Sequence, residues 1–307
     1  RGAMPDRGHR ANPYQWPRQS LIQVATNTLF DTKFLSEIGA VDFSYTEQAD
    51  AISFNHYEDW VEKGLQGPLS YLADERKSKR KSIKEIYPEF QSALVFLFPY
   101  VADKKLLNEL ETDLRMASYA FAFDGEDYHY VLRDKMKKVS TRLELAGYEC
   151  NPFEAIDTKP VLERDLALRA GLGWIGKNSM LINQKHGSYF IIASLFLDIK
   201  LPMVSNNIET DHCGTCTKCI DACPTDCILD NKTIDASRCI STFTIEMFKD
   251  CEAPKGFDSS QYFFGCDICQ DVCPWNNKPL EEVKLLENSR ERQQFFSEFF
   301  LKKNKKE

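Results

Sequence analysis

Two apolar runs stand out along the chain, ALVFLFPYVA at 93–102 and YFIIASLFL at 189–197. A helix needs about 20 apolar residues to cross a bilayer, so both runs are too short to span one. Each reads as a buried strand, one over 92–100 and one over 187–199. Between them the period changes. In DYHYVLRDKMKKVSTRLELAG (127–147), Leu132, Met136, Val139 and Leu143 recur at steps of four, three and four. That is the stripe of an amphipathic helix, with Asp127 as its cap and Gly147 as its stop. ETDLRMASYAF (111–121) reads as a further helix and YECNPFEAI (148–156) as a strand. KPVLERDLALRAG (159–171) reads as a helix with Pro160 near its start and Gly171 at its end. This mixture of elements predicts an α/β domain.

Composition adds little until the cysteines. The first twenty residues are polar, rich in Arg and Pro and without an apolar signal core, so they are set aside from fold reasoning. A net charge of −7 does not advertise nucleic-acid binding. The basic stretches at 75–84, 133–138 and 301–306 read first as solvated faces or tails. GLGWIG (171–176) matches G-x-G-x-x-G, but a helix precedes it where a dinucleotide site needs a strand, so the glycines are expected to serve a helix end and a close backbone approach. DYHYVL (127–132) has Leu132 where a cobalt-ligating D-x-H-x-x-G signature needs glycine, so His129 is not assigned to cobalt.

Eleven cysteines change the picture. Without a visible secretory signal the expected compartment is the reducing cytoplasm, where disulfides are rare and dense cysteine points to metal. Cys213, Cys216, Cys219 and Cys223 read C-x2-C-x2-C-x3-C, with Pro224 next. Zinc sites pair two cysteines and place the second pair well downstream. Three thiolates spaced by two instead wrap three corners of a cubane, and in two-cluster ferredoxins the fourth serves the other cluster. Cys266, Cys269 and Cys273, before Pro274, repeat the pattern with its front cysteine missing, and Cys239 is the natural donor. One [4Fe–4S] cluster is therefore expected on Cys213, Cys216, Cys219 and Cys273, and a second on Cys223, Cys239, Cys266 and Cys269. Cys150, Cys227 and Cys251 are left over; Cys227 competes with Cys223, whose following proline favours it. Clusters move single electrons and break no bonds themselves, so a catalytic centre is expected in the residues before them.

The ordered set ERKSKRKSIKEIYP, DYHYVLR, AIDTKPVLERDLALRAGLGWIGKNSMLI, HCGTCTKCIDACPTDCI, RCIS and GCDICQDVCPWN resembles the epoxyqueuosine reductase family over roughly residues 25–280. The resemblance implies an oxidoreductase of queuosine biosynthesis. It would remove the epoxide oxygen of epoxyqueuosine at the tRNA wobble position with cobalamin (cob(II)/cob(I)alamin) and two [4Fe–4S] clusters. It also implies an α/β (α+β) cobalamin-binding domain resembling nitroreductase-like folds, followed by a small ferredoxin-like module. The implied division is a lead at 1–24, a catalytic domain at 25–204, the two-cluster domain at 205–285 and a polar tail at 286–307.

By the same resemblance Asp157, in AIDTKP, is the proton donor. An epoxide oxygen leaves poorly unless protonated as it departs, and burial is expected to keep this carboxyl protonated. Arg80, Asp157, Gly173, Trp174, Gly176, Lys177 and Asn178 are the implied cofactor contacts, with Arg164 and Arg169 facing a phosphate or solvent. Partners would be tRNA and a flavodoxin- or ferredoxin-type electron donor, with no membrane. Tyr128, Tyr130 and Trp275 are candidates, by type, for receiving unstacked bases. Reductive dehalogenases share the cofactor set, but no twin-arginine signal is visible here. Only about thirty residues follow Pro274, where many family members continue into helical repeats that help hold tRNA.

Overall fold

The structure is a computed structural model that describes residues 29–109, 114–246 and 253–284, with positions 291, 294, 295 and 298. The lead at 1–24, Cys251 and the basic stretch at 301–306 lie outside the described residues. The strands are β1 (Asp42–Thr46), β2 (Ser92–Pro99), β3 (Arg115–Met116), β4 (Phe153–Ala155), β5 (Trp174–Ile175), β6 (Leu181–Ile182), β7 (Phe190–Leu197) and β8 (Tyr262–Phe264).

A four-stranded sheet in the order β1-β2-β7-β4 forms the centre. β2 is uniformly apolar because helices cover both of its faces. Leu94, Phe96 and Phe98 share one core with Leu132, Met136, Val139 and Leu143 of the Tyr128–Leu145 helix. Ala93, Val95 and Leu97 share the other with Leu166, Ala167 and Ala170 at the Glu163–Arg169 helix. Burying a large apolar side chain contributes about 1.5–3 kcal/mol, so these two layers carry much of the fold's stability.

Every strand pair in this sheet is antiparallel. Of the two mixed helix-and-sheet forms expected, α/β and α+β, the antiparallel pairing is that of α+β. Alternation of helices and strands along a sequence does not fix strand direction; β2 and β7 return beside each other in opposite senses, with Phe96 opposite Ala193. Asp127 caps its helix by accepting from the His129 amide, and Gly147 takes the left-handed φ of +85° just past the end.

Two expectations are corrected. Within 111–121, the described part is not one continuous α-helix: Arg115–Met116 is β3, and a short 3-10 helix begins only at Ser118 and runs to Gly125 with a kink at Ala122–Asp124. Tertiary partners have taken the donors a helix would use. The Ala117 amide donates to Phe264 O, and the Ser118 amide and hydroxyl donate to Asp267. Within 159–171, the helix occupies only Glu163–Arg169. Pro160 stands ahead of it, in turns closed by Thr158 N to Ile156 O and Val161 N to Lys159 O.

The cysteine-rich part is stitched to the large part at several places. β3 pairs in parallel with β8. Trp60 Nε1 donates to Ile234 O at 2.7 Å, and Ala236 N to Leu65 O at 2.8 Å. Among the described residues no helix is long and apolar enough to cross a membrane.

Candidate active site and cluster-binding loops

The two cysteine segments share one local plan. Each carries a four-residue helix, Lys218–Asp221 or Ile268–Asp271, between its cysteines. Each closes with the last cysteine's amide bonded three residues back, Cys223 N to Ile220 O at 3.2 Å and Cys273 N to Gln270 O at 3.1 Å. The folded chain sorts the thiols into two groups. Cys273 is buried beside Cys213, Trp174, Ile182 and Trp275. Burial pushes its thiol up, and the charges of Cys213, Cys219 and Cys216 add to this. Burial also pushes Cys266 up to about 12, with Cys239 and Cys223 as charged neighbours, and Cys269 rises for the same reason beside Cys266 and Cys239. Among the described residues no three His, Cys, Asp or Glu converge as ligands of one metal ion do.

The GWIGKN loop lies against these segments. Lys177 Nζ donates to Gly214 O and Cys216 O, both at 2.9 Å, and the buried Asn178 donates through Nδ2 to Cys269 O at 3.2 Å. One loop therefore holds the backbone of both cysteine groups. Its glycine at 173 is required by geometry: φ is +153°, and a Cβ there would lie 2.1 Å from Ile182 O, inside the β5–β6 hairpin. A Cβ at Gly176 would meet Ile182 Cδ1 at 2.6 Å. Trp174 is fully buried with its indole Nε1 unpartnered, edge-on to Trp275 and His212 at 4.8 Å each.

Asp157 stands at a turn with φ +57°, a left-handed conformation that Asp tolerates better than most residues. Two contacts fix it. Tyr128 Oη donates to Asp157 Oδ2 at 2.6 Å, and the Asp157 amide donates to Glu163 Oε1 at 2.6 Å. Asp157 itself is exposed, which corrects the expectation that burial protects its proton. The carboxyl that burial does lift is Glu163, to about 8; the Asp157 charge adds to this, while the Asp157 amide and Arg164 oppose it. Glu163 is half-buried. Tyr71, Tyr119 and Tyr128 surround this carboxylate pair, and burial first, then nearby carboxylate charge, keeps all three phenols protonated. Tyr71 also donates to Glu246 at 3.2 Å.

Arg80 is 9% exposed, and its Nη1 has no hydrogen-bond partner. Its guanidinium lies 5.7 Å from the Tyr57 ring centre, and its charge reaches Tyr71, which also feels Asp157. An unpaired buried guanidinium N–H is a donor available to an anionic or amide oxygen of a bound molecule. Arg169 has no such freedom: its Nε binds Asp165 at 2.6 Å with both side chains buried, and Asp165 in turn accepts from the Ser53 amide and hydroxyl. Arg164 donates to Ser179 O.

Several residues of the site have no sequence signature. Lys104 is buried with its Nζ 2.6 Å from Asp271 and 3.4 Å from Asp267, the residue next to Cys266. Asn276, fully buried, accepts from the Ser188 amide at 2.7 Å and donates to Gln270 O at 2.8 Å. Among the aromatic candidates, Tyr130 is exposed, Trp275 packs on Trp174, and Tyr128 is engaged with Asp157.

Residues 80–158 match the family model described as Epoxyqueuosine reductase QueG, DUF1730, and residues 212–276 match the 4Fe-4S double cluster binding domain. An epoxyqueuosine reductase of Cyclobacterium marinum is 41% identical over 233 residues, 75% of this chain and 73% of that protein. The chain belongs to the epoxyqueuosine reductase family. Among solved epoxyqueuosine reductases, one bound to an epoxyqueuosine-modified tRNA-Tyr stem loop aligns with a TM-score of 0.69 at 26% identity, covering 87% of this chain and 69% of its own. Another, from Bacillus subtilis and described with an aspartate-bearing catalytic loop swung out of the active site, aligns with a TM-score of 0.65 at 26% identity, covering 83% and 66%. The epoxyqueuosine reductase match at 80–158 spans Arg80, Tyr128 and Asp157.

Proposed function

We propose that this chain reduces epoxyqueuosine in tRNA to queuosine, removing the epoxide oxygen with two electrons and protons. What carries the reading is the union of the epoxyqueuosine reductase match, which runs through the Asp157 turn, with the double-cluster match that follows it. Cobalamin, when bound, supplies the two-electron reducing chemistry at the epoxide. Arg80, whose Nη1 has no hydrogen-bond partner, and Asp157 would hold it, in a domain of the nitroreductase-like kind. Gly173, Trp174, Gly176, Lys177 and Asn178, in the loop that holds the cysteine segments, would contact that cofactor as well.

One [4Fe–4S] cluster is assigned to Cys213, Cys216, Cys219 and Cys273, and the other to Cys223, Cys239, Cys266 and Cys269. Asp157 delivers the proton to the departing oxygen. Tyr128 and Glu163 hold its carboxyl and amide, so its direction does not depend on the substrate. Being open to water, Asp157 exchanges protons between turnovers, and the neighbouring Glu163, which holds its proton up to about 8, is a local store. Electrons come from a flavodoxin- or ferredoxin-type donor, and the setting is the cytoplasm.

The test is anaerobic. The reconstituted protein, cobalamin and a strong reductant are incubated with epoxyqueuosine-containing tRNA, and the digested nucleosides are weighed by mass spectrometry. Cobalamin-dependent loss of one oxygen mass is expected. Asp157→Asn should keep cobalamin binding and lose turnover. An unchanged nucleoside with all cofactors bound defeats the reading.

A further inference from the structure

The second cysteine group holds five thiols where a cubane takes four. Cys227 is 4% exposed, and its Sγ lies 3.4 Å from Cys223 Sγ. The backbone brings it there. Asp226 turns the chain with φ +48°, and its amide donates to Cys223 O at 3.2 Å. Cys227 O then accepts from the Asp235 amide at 2.8 Å, and Ile228 pairs with Ile234, which pins the far side of the turn. Thr225 Oγ1 reaches the same Cys223 sulfur at 3.6 Å. A buried cysteine that merely filled space would have carbon neighbours; this one lies on the sulfur of a residue assigned to the cluster.

We propose that Cys227 belongs to the second cluster as a fifth thiol. It donates S–H to the Cys223 sulfur when Cys223 ligates iron, and it replaces Cys223 as ligand when that thiol is removed. The chemistry needs nothing beyond the cluster itself. In the first role a hydrogen bond spreads the charge of a ligating sulfur and raises the cluster's potential. In the second, a thiol loses its proton to solvent and binds the iron that Cys223 would have held. The inference rests on the two-cluster reading above.

The experiment measures iron and acid-labile sulfide in the anaerobically reconstituted full chain. Wild type tests the two-cluster reading by itself: iron for one cluster only would remove that reading before any variant is compared. With two clusters in wild type, Cys223→Ala should keep both, whereas the Cys223→Ala/Cys227→Ala double variant should lose one. Cys216→Ala, in the group of four thiols, should lose one cluster with no replacement. Loss of a cluster in Cys223→Ala alone overturns the proposal. Should Cys223→Ala yield no folded protein, Cys227→Ala decides by electron paramagnetic resonance titration. A lowered midpoint for one cluster supports the proposal, and two unmoved midpoints overturn it.

Discussion

Glu163→Gln is expected to make the protein more stable, increasingly so as the pH rises. In the unfolded chain this carboxyl ionises near 4.5; in the fold it keeps its proton to about 8. Between those values the folded chain binds more protons than the unfolded one, so stability falls as pH rises through the window and the loss is complete above it. Each pKa unit corresponds to about 1.4 kcal/mol. The full displacement would thus cost up to about 5 kcal/mol at alkaline pH, and the water access of a half-buried group reduces the expected cost to about 2–4 kcal/mol. Glutamine does not titrate, and its side-chain oxygen still accepts from the Asp157 amide. The assay is urea unfolding of wild type and variant in matched anaerobic buffers from about pH 6 to about pH 9, where the gap should widen by about 1–2 kcal/mol. Two parallel stability profiles would refute the reasoning, and a variant less stable than wild type at the alkaline end would reverse its sign.

Three further substitutions probe the scaffold. Lys104→Met leaves Asp267 buried with only Ser118 as donor, and should lower unfolding stability by about 3 kcal/mol; an unchanged urea midpoint would show that the pair contributes nothing. Gly173→Ala forces a Cβ onto Ile182 O across the β5–β6 hairpin, and should cost about 3 kcal/mol, seen as a fall in soluble yield and melting temperature. Lys177→Met removes two donors from the loop that carries Cys213 and Cys216, a loss of about 1–2 kcal/mol for a half-exposed ammonium. Iron release to a chelator should accelerate for one cluster, and equal rates would show that the clamp is passive.

Periodicity located the elements that bury a regular face. β2, β7 and the Tyr128–Leu145 helix were legible because their neighbours demand either an unbroken apolar run or a 3.6-residue stripe. The stretch from Arg115 to Gly125 was not, because its backbone donors answer to Phe264 and Asp267, residues far away in the chain. Cysteine spacing was legible because a cubane dictates it locally. The GWIGKN loop was visible as a special turn, but its contacts to Gly214, Cys216 and Cys269 are tertiary. Glu163 was invisible for a related reason. A glutamate in the first turn of a short helix looks like any solvated carboxylate until the fold closes protein around it.

The parallel pairing of β3 with β8 sets a timetable for biogenesis. Arg115 leaves the ribosome well before Tyr262 exists to receive it. At about 5–20 residues per second, translation leaves that edge open for on the order of ten seconds. During this interval Trp60 also waits for Ile234, and a bare strand edge is a template for pairing with other chains. The strand that closes this edge, Tyr262–Phe264, stands just ahead of Cys266, so the large part of the fold is completed from within the cysteine-rich part, and only once that part has left the ribosome.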